Sequence, residues 1–360
     1  MNLKETHPRQ NLYSFEGLSQ IQKILIIKLR AIGDVVLATP VIENLRGAFP
    51  DADIDFLTEP PSAAIVAHHP DLNQIIVYPR QRWKRTSVPR RWCLDAAFLR
   101  HLHAQKYDLV FDLFGNPRSA IMTLATGAAK RVGYNFRGRQ LAYNRVVLNR
   151  GAEVHEVEFN LDALRALSIP IFTAQPAVYV TAEDSAFITE WFAHRRFRNR
   201  RVIGLNPSGS WPAKRWPDEK FIELGHRLSD QLNASLVVLW GPGEKKTAQR
   251  IAAGIGEHAY LAPPTSLNQL AALCKRLSAL VSNDSGPMHI SAAVGTPTLG
   301  IYGPTNSKLQ GPYGKKNRGV AHWEIPCLGC NRLKCPLLDC MHYLSVREVF
   351  QETVKMLGPD

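Results

Sequence analysis

Four short stretches of the chain combine residue types that can move a proton or bind a phosphate. The first is KLRAIGDVVLATP, residues 28–40, directly after the apolar run ILII. It holds one glycine, Gly33, followed at once by Asp34. A dinucleotide-binding turn here would read G-x-G-x-x-G, so a nicotinamide-dependent dehydrogenase fits poorly. An aspartate of ordinary pKa is ionised at neutral pH. Held within reach of a hydroxyl, it can serve as a general base. The same carboxylate is placed to cap a helix starting at Val35. Both roles are compatible, because one oxygen can cap while the other faces a cleft.

The other three stretches each follow a strand with a turn of small residues. NPSGSWPAKRWP, residues 206–217, brings Ser208, Gly209 and Ser210, whose backbone N–H groups can approach an anion closely. Lys214 and Arg215 add positive charge. SNDSGPMHISAAVG, residues 282–295, opens a helix with Pro287 in its first turn. The amides and hydroxyl of Ser285 and Gly286 then favour a diphosphate at the helix N-terminus. Asp284 would repel that diphosphate, so it is expected to cap and orient the turn. His289 can donate to a phosphate or sugar, or it is a core histidine satisfied by backbone. In GPGEKK, residues 241–246, Glu244 can accept from ribose hydroxyls or can complement a helix dipole. The Walker A spacing is absent there. GIYGPT, residues 300–305, is one more glycine turn after a strand. The chain offers no Ser-His-Asp set and no His-rich metal site.

Positioning these residues requires alternating strands and helices. KILIIKL, DIDFLTE, IIVYP and YDLVFDLF read as strands, with VVLATPVIENLRGAF and HEVEFNLDALRALSI as helices between or after them. A basic loop follows IIVYP, and a helix can span 116–126. The alternation starts again with RVIGLNP, WPDEKFIELGHRLSDQL, SLVVLWGPG, SLNQLAALCKRL, ALVSNDSG, GPMHISAAVG and PTLGIYGP, and SVREVFQETVKML closes the chain as a helix. Repeated β-α alternation predicts an α/β fold with parallel sheets covered on both faces. We expect two tandem Rossmann-like, doubly wound domains facing a cleft. Ligands then bind at the carboxyl ends of the strands. The expected boundaries are an extension over 1–20, domains over 21–175 and 201–345, a linker over 176–200 and a last helix over 346–360.

Bulk properties narrow the class. The chain has 360 residues, 45% apolar and 21% charged. It has no apolar run near the roughly 20 residues needed to span a bilayer. The start, MNLKETHPRQNLYSF, lacks the apolar core of a secretory signal, so a cytoplasmic location is expected. Nearly all of the +13 charge sits between Leu72 and Ala152, with fifteen Lys/Arg against three acids. Within it, PRQRWKRTSVPRRW, residues 79–92, holds six basic residues and two tryptophans. Such a field attracts a polyanion. A nucleic acid would account for the basic and aromatic interleaving and would bind with steep salt dependence. It leaves the Ser/Gly turns unexplained, and no nucleic-acid partner is expected. HRRFRNRR, residues 194–201, reads as an exposed helix end and linker. Cys327, Cys330, Cys335 and Cys340 form a cluster with one Cys-x2-Cys knuckle, whereas a zinc site has two. Free structural thiols are the expectation, and a structural zinc is the alternative.

The stretches KILIIKLRAIGDVVLATPVIENLR, NPSGSWPAKRWP, LVVLWGPGE and VSNDSGPMHISAAVGTPTLGIYGPT, in this order, resemble the ADP-heptose:lipopolysaccharide heptosyltransferases, glycosyltransferase family 9. The cysteine cluster ending in Cys340-Met341 is similar to that of many members. The likeness runs from about Ile21 to the last helix, and residues 1–20 depart from it. It implies the GT-B fold and an inverting transfer with no required cofactor or metal. It implies an ADP-heptose donor on the C-terminal domain, and a Kdo-containing lipid A or inner-core lipopolysaccharide acceptor on the N-terminal domain. Asp34 matches the family's general base, Lys214 a lysine near the donor phosphates and Glu244 an acid at the ribose. Asp284, Ser285, Gly286 and His289 match its phosphate loop. Arg118 matches a basic position facing the acceptor, and Arg80, Arg82, Lys84 and Arg85 correspond more loosely. The basic first domain, with Trp83 and Trp92 among its arginines, suits peripheral work at the inner face of an anionic membrane.

Overall fold

The structure is a computed structural model that describes residues 20–136, 138–195, 197 and 200–358. The expected extension over 1–20 lies outside the described residues except for its last position, as does Arg137 of the basic region.

Strand β1, Lys23–Ile27, buries its last four residues. A central parallel strand covered on both faces must read as such a continuous apolar run. Around it lie β2 (Asp53–Thr58), β3 (Gln74–Val77), β4 (Leu109–Asp112), β5 (Lys130–Tyr134) and β6 (Arg145–Val147). The order is β3-β2-β1-β4-β5-β6. The second sheet contains β7 (Arg201–Asn206), β8 (Ala234–Val238), β9 (Ala259–Leu261), β10 (Ala279–Asn283), β11 (Thr298–Ile301) and β12 (Arg318–Val320). Its order, β12-β11-β10-β7-β8-β9, repeats the winding of the first. All ladders are parallel. These are the two Rossmann-like domains expected from the β-α alternation. In each, the winding reverses between its first and fourth strands, and ligands bind at that switch point. The turns that follow β1, β4, β7 and β10 are therefore the ones that matter.

Helices α1 (Ile32–Val36), α2 (Thr39–Ala48), α3 (Pro60–Val66), α4 (Arg80–Trp83), α5 (Val88–Ala104), α6 (Pro117–Ala125) and α7 (Glu156–Arg165) belong to the first domain. Helix α8 (Ala182–Ala193) lies in the connecting segment and packs on α11 (Leu267–Lys275). The second domain carries α9 (Asp218–Leu232), α10 (Lys245–Ile255), α12 (Gly286–Ala293), α13 (Ser307–Gln310) and α14 (Asp339–His342). The last helix, α15 (Val346–Leu357), packs on α9, β11 and β12. One apolar cluster runs from Ile24 and Phe111 through Leu161 to Leu273 and Ile290, so the domains share packing.

Residues 79–92 are not the loop expected from their charge. They form α4 and the start of α5. Pro89 suits the first turn of α5, where a missing N–H leaves nothing unpaired. Trp83 packs edge-on against Tyr78 and Phe98, which pulls the segment onto the domain.

Candidate active site

The turn after β1 places Asp34 differently from the expected cap. Helix α1 begins at Ile32, so Asp34 lies inside its first turn. Its Oδ2 accepts the Ala31 N–H at 2.8 Å. Ala31 is extended and has no side-chain acceptor, so an acid three residues on reaches back to the helix start. Behind this turn Lys28 is buried at the end of the strand. Its Nζ donates to Leu113 O at 2.9 Å, Glu156 Oε1 at 2.8 Å and Asn160 Oδ1 at 3.1 Å. An ammonium has three donors, and all are used. Burial pushes the Asp34 carboxyl above the ordinary carboxylate value. Lys28 opposes that rise most strongly, Glu156 adds to it, and the Ala31 bond and Lys214 lower it.

The basic residues expected to face the acceptor, Arg80, Arg82, Lys84, Arg85 and Arg118, follow β3 and β4 at the carboxyl edge of the same sheet. Arg80 follows β3 and approaches the buried carboxylate of Glu59 at 3.7 Å. Arg82, Lys84 and Arg85 are exposed beside it. Arg118 opens α6 after β4 and lies over the Tyr78 ring at 5.7 Å. The β4–α6 turn is fixed by Asp112, which accepts from the N–H groups of Phe114 and Gly115 and from the Tyr143 hydroxyl.

In the second domain Lys214 and Asp284 meet, with Nζ and Oδ2 2.6 Å apart. The Thr305 hydroxyl donates to the same oxygen at 2.6 Å. Asp284 therefore anchors Lys214 and the turn after β11, and does not cap α12 as expected. Lys214 also lies over the Trp211 ring at 4.3 Å. The Ser285 hydroxyl is engaged within the protein. It donates to Asn283 O and accepts from Asn206 Nδ2. What remains for a ligand at this turn is backbone N–H and the α12 N-terminus, beginning at Gly286. The turn Ser208–Ser210 leads into a single 3-10 turn at Pro212–Lys214. Glu244 accepts from the Gly241 and Gly209 N–H groups at 3.2 and 3.4 Å, tying the turns after β7 and β8 together. Arg215 stands 3.5 Å from it.

Three buried polar atoms around these turns have no protein partner: Asn206 Oδ1, Ser208 Oγ and His289 Nδ1. Buried polar atoms in folded proteins are otherwise paired, and these three lie together at one switch point. Burial holds the His289 imidazole down to about 4, so it is neutral at pH 7. Its ring reaches across the cleft to α1. A Cβ built on Gly33 would stand 2.6 Å from His289 Cδ2, and one on Gly286 3.0 Å from Ile32 Cγ2. The lone glycine of the first turn is there for this close approach of α1 and α12. A second bridge joins α7 to the second domain. His155 Nε2 lies 3.0 Å from Gly311 O, and Tyr313 donates to Glu158 at 2.7 Å.

Lys28, Glu156 and Asn160 were not apparent from sequence patterns. The available signal was a lysine closing an otherwise apolar strand, a residue type that is almost never buried without a partner. Cys327, Cys330, Cys335 and Cys340 form no disulfide, and Cys340 is buried against Gly303. Among the described residues no three His, Cys, Asp or Glu side chains are disposed to hold a metal ion.

Two Rossmann-like domains whose strand-end turns meet through α1 and α12 give this chain the GT-B architecture. Its sequence matches the profile of glycosyltransferase family 9 (heptosyltransferase) over residues 96–341, and the chain belongs to that family. It is 27% identical to lipopolysaccharide heptosyltransferase 1 of Pseudomonas aeruginosa, covering 87% of each chain. To lipopolysaccharide heptosyltransferase 2 of Escherichia coli it is 28% identical, over 83% of this chain and 87% of that one. The structure of the E. coli heptosyltransferase WaaC with ADP superposes with a TM-score of 0.73 at 25% identity, covering 93% of this chain and all of that one.

Proposed function

We propose that this chain transfers heptose from ADP-L-glycero-D-manno-heptose to a Kdo-lipid A or inner-core lipopolysaccharide acceptor, with inversion and with Asp34 as general base. The observation that carries this reading is the apposition of the Asp34 turn and the Lys214–Asp284–His289 cluster through the α1–α12 contact. Names of relatives add the donor and acceptor classes. Asp34 takes the proton of the acceptor hydroxyl as its oxygen attacks the anomeric carbon. The bond from that carbon to the diphosphate breaks, and ADP leaves. Lys214 and the backbone N–H groups at the start of α12 stabilise the leaving charge, so the reaction calls on no metal. Glu244 faces the ribose in this reading, with Ser208, Gly209 and Ser210 beside the diphosphate. Neutral His289 is a hydrogen-bonding partner and not a counter-ion. No described helix is long and apolar enough to cross a membrane. We place the enzyme at the cytoplasmic face of the inner membrane, where a lipid-borne acceptor is presented.

Calorimetry with ADP, UDP and GDP tests the donor. ADP binds tightest, and preference for UDP or GDP sinks the heptose assignment. The division between domains has its own test. Reversing Arg80, Arg82 and Lys84 to Glu raises the acceptor KM by roughly tenfold or more, at about 1 kcal/mol per basic residue near an anionic surface. ADP affinity is unchanged in that variant. An equal loss of ADP binding would contradict the separation of acceptor and donor sites.

A further inference from the structure

Glu59 follows strand β2 at the N-cap position of α3, where a side-chain oxygen ordinarily accepts from the first turn. It does not do so here. The first two helical residues, Pro60 and Pro61, have no N–H to offer, and the Ser62 N–H goes to the Glu59 backbone oxygen. No cap hydrogen bond reaches the carboxylate. Its side chain is nevertheless buried, with 6% of its exposure left, and Oε1 has no hydrogen-bond partner. What faces that oxygen is Arg80, whose Nη1 stands 3.7 Å away. Arg80 Nε is likewise buried and without a hydrogen bond. The two side chains are joined by charge alone.

A buried Glu–Arg pair roughly breaks even against well-packed apolar residues, so stability does not account for it. Its place in the sheet does. β3, β2 and β1 are neighbours, and Arg80, Glu59 and the Asp34 turn follow their carboxyl ends in that order. Leu29 O, where the Asp34 turn begins, accepts from the Glu59 N–H at 2.9 Å and from Thr58 Oγ1 at 3.2 Å. Helix α3 packs on α1. At roughly 5 Å per strand, the end of β3 lies on the order of 10 Å from that of β1, a span that a sugar and its substituent can bridge. The Arg80 backbone is fixed by its N–H on Tyr78 O at 2.8 Å. Its side chain keeps 20% of its exposure, so it is anchored at the carboxylate and still reaches solvent. Arg82, Lys84 and Arg85 are exposed, and ordering such long side chains on a ligand costs entropy that an anchored one has already lost. A guanidinium fork also matches a carboxylate or phosphate in shape.

We propose that Glu59 is a positioning residue for the acceptor. Its buried carboxylate fixes the Arg80 guanidinium at the carboxyl edge of the first sheet, where that guanidinium binds an anionic group of the acceptor, a sugar carboxylate or a phosphate. This rests on the reading above that the first domain takes the acceptor. Arg80 is thereby set apart from Arg82, Lys84 and Arg85, which meet the acceptor with exposed side chains.

A double-mutant cycle on acceptor kinetics of the full chain tests the role. Glu59→Gln raises the acceptor KM by about tenfold, a coupling typical of side chains in one ion pair, with ADP affinity unchanged and kcat moving less than KM. Arg80→Gln raises it at least as far. Because Glu59 acts through Arg80, the double variant is no worse than Arg80→Gln alone. Glu59→Gln combined with Arg82→Gln instead multiplies the two single effects. Glu59→Asp keeps the charge but draws it back by one methylene. It gives an intermediate KM and carries the test where Glu59→Gln does not fold. With a dephosphorylated acceptor the coupling persists if Arg80 holds a sugar carboxylate and vanishes if it holds a phosphate. Folded Glu59 variants with the wild-type acceptor KM overturn the proposal, as do Glu59 and Arg80 effects that multiply. An equal loss of ADP affinity marks a purely structural role and overturns it too. Wild-type protein that transfers nothing sinks the enzymatic reading and this role together, whereas a transferring wild type with an unaltered Glu59→Gln sinks this role alone.

Discussion

Asp34→Asn lowers the rate of heptose transfer by about 10²–10⁴-fold, the contribution typical of a positioned general base, and leaves ADP affinity as it was. Asparagine is the informative replacement. Its carboxamide oxygen can still accept the Ala31 N–H, so the start of α1 is kept while the proton acceptor is lost. Asp34→Ala removes both, and the difference between the two variants measures what the hydrogen bond contributes to holding the turn. If the carboxylate acts only in the transition state, kcat and kcat/KM fall together. The assay is ADP release that requires both donor and acceptor, followed across pH. Transfer by folded Asp34→Asn at the wild-type rate would remove Asp34 from the reaction. Helix α1 would then need another reason for holding an acid against α12.

Much of the fold was legible because buried parallel strands are continuous apolar runs. KILII, LVFD and ALVSN announce themselves, and the turns after them carry the polar residues at fixed offsets. The strand order was not written in any local pattern. It arises from which strands pair, and it explains why the turns after β7 and β10 adjoin, while the packing of α1 on α12 brings the β1 turn to them. The contacts of the candidate residues were not legible in the same way. Asp284 looked like a cap because local sequence shows only its neighbours, and its partner Lys214 is seventy positions away. Gly33 stood out only as the lone glycine of a turn without the G-x-G-x-x-G pattern. Its reason is the His289 ring of the other domain, which no pattern around residue 33 encodes. The stretch 79–92 looked like a loop because its charge masks the anchoring of Trp83 on Tyr78 and Phe98.

Lys28 is the residue whose loss separates support of the fold from support of the chemistry. Lys28→Met destabilises the protein by a value toward the lower end of the roughly 3–5 kcal/mol for breaking a buried pair. The low end follows because the Glu156 side chain keeps 19% of its exposure and can recover some solvation. Thermal unfolding reads that loss. The second effect falls on Asp34. Burial raises its pKa, and Lys28 is the strongest influence pulling it back. Without Lys28 the carboxyl rises further, so a larger fraction is protonated at any given pH. The acid limb of kcat/KM therefore moves to higher pH. Glu156→Gln breaks the same ion pair and removes a group that raises the Asp34 pKa. Its acid limb moves to lower pH, although it too is less stable. Lys28 and Glu156 thus share a stability defect and diverge in pH profile. A purely structural role for the pair yields two destabilised enzymes with the wild-type acid limb, and that result would detach the buried Lys28 network from the base.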